Sequence, residues 1–435
     1  MVIKTINTSI SKVAKRLFEN ETRKRLFENF LSLSVLQVAS YILPLITLPY
    51  LVRVLGPAKF GLIAFSQAFI GYFQMLTDYG FNLSATRDIS INRDNIEKVS
   101  EIFSSVMVIK FSLLLVSLVI MSVIVFSFEK FRQDWLIYYL AFGMVVGQTF
   151  FPVWLFQGME RMKYITFLNI LAKLIFTVAI FVFIRHTSDY LYVPLLNSLG
   201  AIIAGLLAMW VVFRNFKVGF RMSGFEEIKH HLKKGWHIFI GTIGINFYKN
   251  NSILILGLFT NNEIVGYFTI AKKIMDALNQ IAGIISQTIY PYVSEQINVN
   301  FQKTIQFLRK VGLSIGAYTF LLGVIVFIFS SKIIYIVSGH YLSNSILSLK
   351  LLAFVPMFIG INVPAVQILL SKGLDRKFSH AVLAGAFLDI FLNFLLVPFF
   401  SYIGSCISVI TVELFVTILL YFEVLKLKEV KQLEL

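Results

Sequence analysis

The chain has 435 residues, 57% of them hydrophobic and only 14% charged, with a mean hydropathy of +0.79 and a formal net charge of +16. Soluble domains carry about 25% charged residues, so the composition excludes an ordinary soluble enzyme or scaffold. The single cysteine, Cys406, excludes a disulfide framework and a cysteine-based metal site.

Residues 1–30 contain no apolar h-region and no cleavage site, so no signal peptide is expected there. They read as a basic cytoplasmic segment. The hexapeptide KRLFEN occurs at 15–20 and again at 24–29, an offset that puts its two Leu-Phe pairs on opposite sides of one straight helix. A surface helix leading into the first span accounts for this.

From residue 31 the apolar residues fall in runs of helix length, and a bilayer core needs about 20 such residues per helix. The runs are 31–53, 61–82, 101–127, 134–157, 164–184, 190–213, 236–260, 264–293, 307–332, 345–371, 378–400 and 402–425. Barrel strands would instead alternate apolar and polar residues in segments of about ten. The expected fold is an all-α polytopic membrane protein with about 12 transmembrane helices. The chain breaks at Gly56-Pro57, re-enters the membrane carrying Asp78, and leaves it at the charged pair Arg87-Asp88.

The longest polar connection, 214–235, divides the spans into an N-lobe, 31–213, and a C-lobe, 236–425, followed by a tail, 426–435. Two echoes support a repeat. LGPAKFGLIAFS (55–66) resembles FTNNEIVGYFTIA (259–271), matching Gly61 to Gly266, and QGMERMKY (157–164) resembles KGLDRKF (372–378), matching Gly158 to Gly373. Parallel repeats imply two six-helix lobes related by a pseudo-two-fold axis along the membrane normal, with a substrate site between them.

The +16 charge could suggest nucleic acid, but its placement argues for topology. With a cytoplasmic N-terminus, 27 Lys/Arg fall on the inner side and 5 on the outer. Positive charge retained inside sets orientation, so both termini and 214–235 are expected to be cytoplasmic, and no nucleic acid is expected as a partner.

Within the spans lie Arg53, Lys110, Lys173, Lys249, Lys272, Lys273 and Lys350 against Asp78, Asp276, Asp389 and Glu413, a net of +3. Each such charge costs about 2.5–3.5 kcal/mol to insert, so these residues pair or line a wet cavity. A diphosphate would suit the surplus of cations. Lys249, among Asn246, Asn250 and Asn251, faces either cargo or a neighbouring helix. Lys272 and Lys273 compete for Asp276, and the i, i+4 pair with Lys272 is the plain alternative to a cargo contact. Lys173 has no acid within a helical turn. Arg53 either meets cargo or snorkels to the interface. Asp78 with Arg87 forms either a structural pair or part of an inner gate, and Asp276, Asp389 and Glu413 are candidates for gating or ion coupling. Tyr72, Tyr248 and Tyr267 offer an aromatic face with a polar tip, suited to a sugar ring.

No P-loop, HExxH or GxSxG signature is present, and the adjacent His230-His231 reads as solvated rather than metal-binding. No enzyme activity is expected.

Several motifs carry a family resemblance across the whole chain. They are Tyr41…Pro44…Pro49-Tyr50-Leu51…Arg53…Leu55-Gly56…Phe60-Gly61, then Tyr72-Phe73…Asp78-Tyr79-Gly80-Phe81 with Ser84-Ala85-Thr86-Arg87. Pro152…Trp154…Gln157-Gly158-Met159-Glu160 follows, then Val265-Gly266-Tyr267-Phe268 with Ala271-Lys272-Lys273-Ile274, and Tyr290-Pro291. These resemble the Wzx-type oligosaccharide flippases, the polysaccharide transporters of the multidrug/oligosaccharidyl-lipid/polysaccharide exporter superfamily. The chain departs from the pattern at Asn250-Asn251, where relatives often have an acid.

The resemblance implies an undecaprenyl-diphosphate-linked oligosaccharide, O-antigen or similar, moved by alternating access from the inner to the outer leaflet of the bacterial inner membrane. A lipid II flippase or a multidrug/cation antiporter on the same scaffold is the alternative. The antiporter would favour an acidic cavity. No cofactor is expected beyond coupling to a proton or sodium gradient. Membrane lipid, a polysaccharide polymerase and a chain-length regulator are the further partners it implies.

Overall fold

The computed structural model describes residues 21–221 and 224–427, with side chains left undescribed at some positions, among them 241–250. The first KRLFEN copy therefore lies outside the described residues. Fourteen α-helices follow in order: α1 (Glu21–Asp78), α2 (Phe81–Asn92), α3 (Ile96–Ser127), α4 (Glu129–Arg132), α5 (Trp135–Phe150), α6 (Val153–Gly158) and α7 (Lys163–Phe183). After a 3-10 turn, Thr187–Leu191, come α8 (Tyr192–Asn215), α9 (Phe225–Phe259), α10 (Asn262–Gln296), α11 (Phe301–Ser338), α12 (Ser343–Leu352), α13 (Val355–Ser371) and α14 (Asp375–Leu425). The described residues contain no strand.

Among the described residues, eight stretches are long and apolar enough to cross a membrane. Two of these, Val35–Asn92 and Asp375–Leu425, are broken internally, at Gly56 (φ 72°, ψ 169°) and Ser401 (φ 53°, ψ −134°), so each supplies two legs. Helices α9 and α10 fall on the expected seventh and eighth spans and complete the twelve. Their hydropathy is lowered by their own polar residues, Asn246, Lys249, Asn250 and Asn251 on one and Lys272, Lys273, Asp276 and Asn279 on the other. Only glycine adopts the Gly56 geometry readily, which is why the break falls one residue before Pro57.

The exposure pattern is that of a protein solvated by lipid. Phe399 is 80% exposed and Val119 62%, while Ser104, Ser117 and Thr149 are fully buried. Water would penalise such a surface. Lipid does not, and the buried Ser104 and Thr149 hydroxyls satisfy themselves on helix carbonyls, of Ser100 at 2.7 Å and Val145 at 2.8 Å.

Two compact units are present. One comprises the described part of Met1–Pro44 with Phe73–Val182 and Pro194–Phe239; the other comprises Leu45–Tyr72, Phe183–Val193 and the described part of Ile240–Leu435. The units thus differ from the sequence halves by the exchange of two short segments, 45–72 and 183–193.

That exchange has a packing cause within the second unit. A Cβ at Gly61 would lie 1.8 Å from the Asn262 carbonyl oxygen and 2.5 Å from the Gly266 nitrogen; one at Gly266 would lie 2.0 Å from the Pro57 carbonyl oxygen. The two glycines paired by the sequence echo therefore meet backbone to backbone. Around them the Tyr50 hydroxyl donates to the Ile184 carbonyl at 2.6 Å, Thr187 Oγ1 donates to the Val54 carbonyl at 3.2 Å, and the Lys59 ammonium sits 4.0 Å from the Tyr190 ring centroid. Gly266→Val is expected to cost at least the 1–3 kcal/mol typical of overpacking (about that range) and to lower membrane-inserted protein. Gly71→Ala, where an added Cβ meets nothing within 4 Å, should leave abundance unchanged. Immunoblotting of washed membranes distinguishes the two, and equal abundance would refute the tight crossing.

Candidate functional site

The first unit encloses a cavity of about 350 Å³ whose wall mixes apolar side chains with Gln74, Asp78, Asn82, Lys110, Gln148, Asn169, Lys173 and Asn197. The break between α1 and α2 positions its acidic corner. Tyr79 (φ 46°) and Gly80 (φ 74°) both adopt left-handed backbone. For tyrosine this is costly, and the ring is held by stacking on Phe239 at 4.8 Å between centroids. A Cβ at Gly80 would lie 2.7 Å from Ile238. Asn82, the second residue of α2, donates its amide to both Asp78 carboxylate oxygens, at 2.9 and 2.8 Å.

Lys110 approaches the same carboxylate from α3, with Nζ 3.9 Å from Oδ1 and a side chain only 1% exposed. Across the cavity Lys173 on α7 donates to the Ser40 hydroxyl at 2.6 Å, and the Ser40 hydroxyl donates in turn to the Leu36 carbonyl. The pocket thus holds two ammonium groups against one carboxylate, among amides. Small residues bring its walls close: a Cβ at Gly147 on α5 would lie 2.3 Å from Ala201 on α8.

The second unit carries a separate polar cluster. Asp389 on α14 is 2% exposed, and its Oδ1 accepts from Asn393 Nδ2 at 2.8 Å and Ser408 Oγ at 2.9 Å. Its Oδ2 accepts from Asn251 Nδ2 at 3.3 Å, and Ser405 closes the network on Asn393 Oδ1 at 3.0 Å. The Ser401 break, three residues after Pro398, folds the second leg of α14 back so that Ser405 and Ser408 face Asn393. Tyr72 adds its hydroxyl to Asn251 Oδ1 at 3.4 Å.

A family model described as "Polysaccharide biosynthesis protein" matches residues 26–297. The chain belongs to this family. Curated relatives extend the likeness over the rest. An Escherichia coli K12 protein named "Putative O-antigen transporter" is 31% identical over 92% of this chain and 97% of its own length. A Haloferax volcanii protein named "Probable low-salt glycan biosynthesis flippase Agl15" is 23% identical over 82% of this chain and 75% of its own. Among solved structures, a lipid II flippase MurJ covers 92% of this chain and 87% of its own with a TM-score of 0.72 at 13% identity. A multidrug MATE transporter covers 93% and 99% with a TM-score of 0.66 at 13% identity. The chain is a multi-pass membrane protein of the Wzx type, with the two-lobe fold of this exporter superfamily.

Within this Wzx-type chain the family motifs prove to be packing partners. Thr86 Oγ1 donates to the Trp154 carbonyl at 3.2 Å, and a Cβ at Gly158 would lie 2.6 Å from Ile89 Cβ. Arg93 pairs with Glu160 at 2.7 Å. Motif blocks some 70 residues apart in the chain are thereby one contact.

Of the residues singled out from sequence, Lys173 and Asp78 line the cavity. Lys249 and Tyr248 fall outside the residues whose side chains are described. Lys272 pairs with Asp276 at 3.2 Å, the plain alternative, and Lys273 is exposed. Arg53 donates to the Ile336 carbonyl at a helix end, and Tyr267 donates to Glu263 one turn earlier. Tyr72 and Asp389 belong to the second-unit network. Glu413 is buried. Arg87 is exposed, and the next residue does the bridging: Asp88 accepts from Lys234 and lies 3.6 Å from His231 Nδ1. His231 is 8% exposed, which corrects its expected solvation. Burial is the main force pushing its imidazole below 6.5, with His230 and Lys234 acting in the same direction and Asp88 and Glu227 opposing. The fold therefore holds the neutral ring, and stability falls as pH drops below about 6.5, because the buried ring resists the proton even though Asp88 favours it. Sequence reasoning does not single out Asn82, Gln148, Asn169 and Asn197 as site residues, because an amide in a helical run carries no charge signal.

Lys110 and Asp78 are expected to behave as a buried pair. Lys110→Met alone should lower membrane abundance, since an unpaired buried charge costs about 3–5 kcal/mol. The Lys110→Met, Asp78→Asn double substitution should recover most of it. Failure of the second change to restore abundance, measured on the same blots, would dissolve the pair.

Proposed function

We propose that the chain moves an undecaprenyl-diphosphate-linked oligosaccharide, O-antigen or a similar repeat unit, from the inner to the outer leaflet of the bacterial inner membrane by alternating access. The observation that carries this reading is Lys173, an ammonium whose hydrogen bond goes to a hydroxyl, in a cavity whose wall also brings five side-chain amides and whose one carboxylate, Asp78, already faces Lys110. Amides suit sugar hydroxyls, and an ammonium without a carboxylate suits a phosphate oxygen. The names of the relatives favour the same cargo class. Cationic drugs would meet the wrong sign of charge here. The 27-to-5 bias of Lys/Arg supports cytoplasmic termini.

In this reading the diphosphate engages Lys173 while the glycan enters the polar interior and the polyprenyl tail stays in lipid. Asp389 is the coupling group. A buried carboxylate surrounded by neutral donors and hydroxyls can take up a proton or a hard cation such as sodium, and each uptake changes the charge of the second unit.

Deletion should abolish surface polysaccharide, and complementation then separates the roles. Lys173→Ala should reduce export about tenfold or more at normal abundance, the loss expected for one charged hydrogen bond. Lys173→Arg should retain part of it. Wild-type export by Lys173→Ala at normal abundance would overturn the phosphate assignment. Retention of lipid II flipping instead of repeat-unit flipping by reconstituted protein would transfer the function to that cargo.

Asp389→Asn keeps the size of the side chain and removes its charge. Translocation into proteoliposomes should then cease to respond to imposed proton or sodium gradients, while protein yield stays within about twofold because the neutral amide needs no counter-charge. An unchanged gradient response would remove Asp389 from coupling.

A further inference from the structure

Helices α11 and α13 and the end of α14, all in the second unit, leave a groove of about 750 Å³ between them. Small residues on α11 let α13 pack close against its floor. The place of a Gly312 Cβ is taken by the Pro364 ring, 2.4 Å away, and Gly316 and Ala317 continue the low wall. Only two lining residues bring a polar group. The Tyr421 hydroxyl is already committed, donating to the Ile361 carbonyl at 2.7 Å, so its ring serves as apolar wall. The other is Arg309, exposed at one end and without an ion-pair partner among the described residues.

Along α11 the groove runs from Ile305 to Phe320, about 22 Å at the helical rise. One leaflet of a bilayer has a hydrocarbon depth of about 15 Å. The groove thus begins at headgroup level and ends past the midplane. Arg309 marks its headgroup end, with exposed Lys310 beside it, on the side that the charge bias makes cytoplasmic. Nothing in the wall resembles the amides of the first unit's cavity, so a saccharide has no partner here.

We propose that this groove binds an anionic phospholipid of the inner leaflet, an acyl chain lying between α11, α13 and α14 and the phosphate resting on Arg309. Charge complementarity selects the headgroup. A groove little longer than one leaflet selects an acyl chain over the longer polyprenyl tail of a cargo. The lipid covers the exposed Leu313 and Ala317, bracing the unit that carries Asp389.

The test uses full-length protein in mild detergent with phosphatidylglycerol, phosphatidylcholine or undecaprenyl phosphate added, read by native mass spectrometry and thermal melting. Wild-type protein should retain phosphatidylglycerol in preference to phosphatidylcholine and melt higher with it. Ala317→Trp, an exposed wall position, should fill the groove and abolish that retention. Arg309→Gln, at the surface and outside the packed interior, should weaken phosphatidylglycerol about fivefold while leaving phosphatidylcholine unchanged, the effect of one basic residue at a membrane surface. Equal retention of the two phospholipids by wild type overturns the proposal. So does undiminished phosphatidylglycerol on Ala317→Trp, or on Arg309→Gln should Ala317→Trp fail to fold. Displacement of phosphatidylglycerol by undecaprenyl phosphate in wild type, absent in Ala317→Trp, reassigns the groove to a polyprenyl tail. Because polysaccharide export is not the readout, these outcomes are independent of the cargo.

Discussion

A carboxylate placed among apolar helices has to be matched by donors or by a cation, and the first unit is arranged around that requirement at Asp78. Residues Tyr79 and Gly80 break the helix immediately after it. Asn82 covers both carboxylate oxygens, and Lys110 stands within ion-pair range on one side only. One cation is thereby used for structure. Lys173, on another helix, stays available to whatever enters the cavity. The break sets the direction in which the segment after Asp78 leaves this corner, while Asn82, four positions on, stays against the carboxylate.

The second unit meets the same requirement with the same pair of residue types. Asp389 is followed four positions later by Asn393, as Asp78 is by Asn82, and both asparagines donate to their aspartates. The settings then diverge. Asp78 has an ammonium 3.9 Å away, whereas the donors on Asp389 are two amides and a hydroxyl. A carboxylate paired with lysine is neutralised within the fold. One held by neutral donors keeps its capacity to exchange a proton or cation, and that difference is what supports our proposal of a coupling role for the second.

The family motifs owe their spacing to close packing. Gly61 and Gly266 meet because neither has a side chain, and Gly158 receives Ile89 for the same reason. Such contacts let helices cross within backbone distance, where dispersion and interhelical hydrogen bonds replace the hydrophobic effect that lipid cannot supply. A motif of glycines and aromatics thus identifies the scaffold far better than it identifies the sugar.

Helix number, membrane class and the Gly56 break were legible in the sequence, because burial of backbone in lipid leaves apolar runs about 20 residues long and a glycine-proline step that interrupts them. Intramembrane charge was equally visible, since each such residue stands out against its run. Which charges cooperate was not. Lys272 was resolved by its own helix, through Asp276, but Lys110 reaches Asp78 across 32 positions of sequence and Lys173 reaches Ser40 across 133. The neutral donors from other segments were hidden: Asn251 and Ser408 acquire meaning only when a neighbouring helix or a folded-back helix leg puts a polar group against the Asp389 carboxylate. Composition and periodicity record what each segment does with lipid. Pairing between segments depends on helix crossings and breaks, and those exist only once the chain has packed.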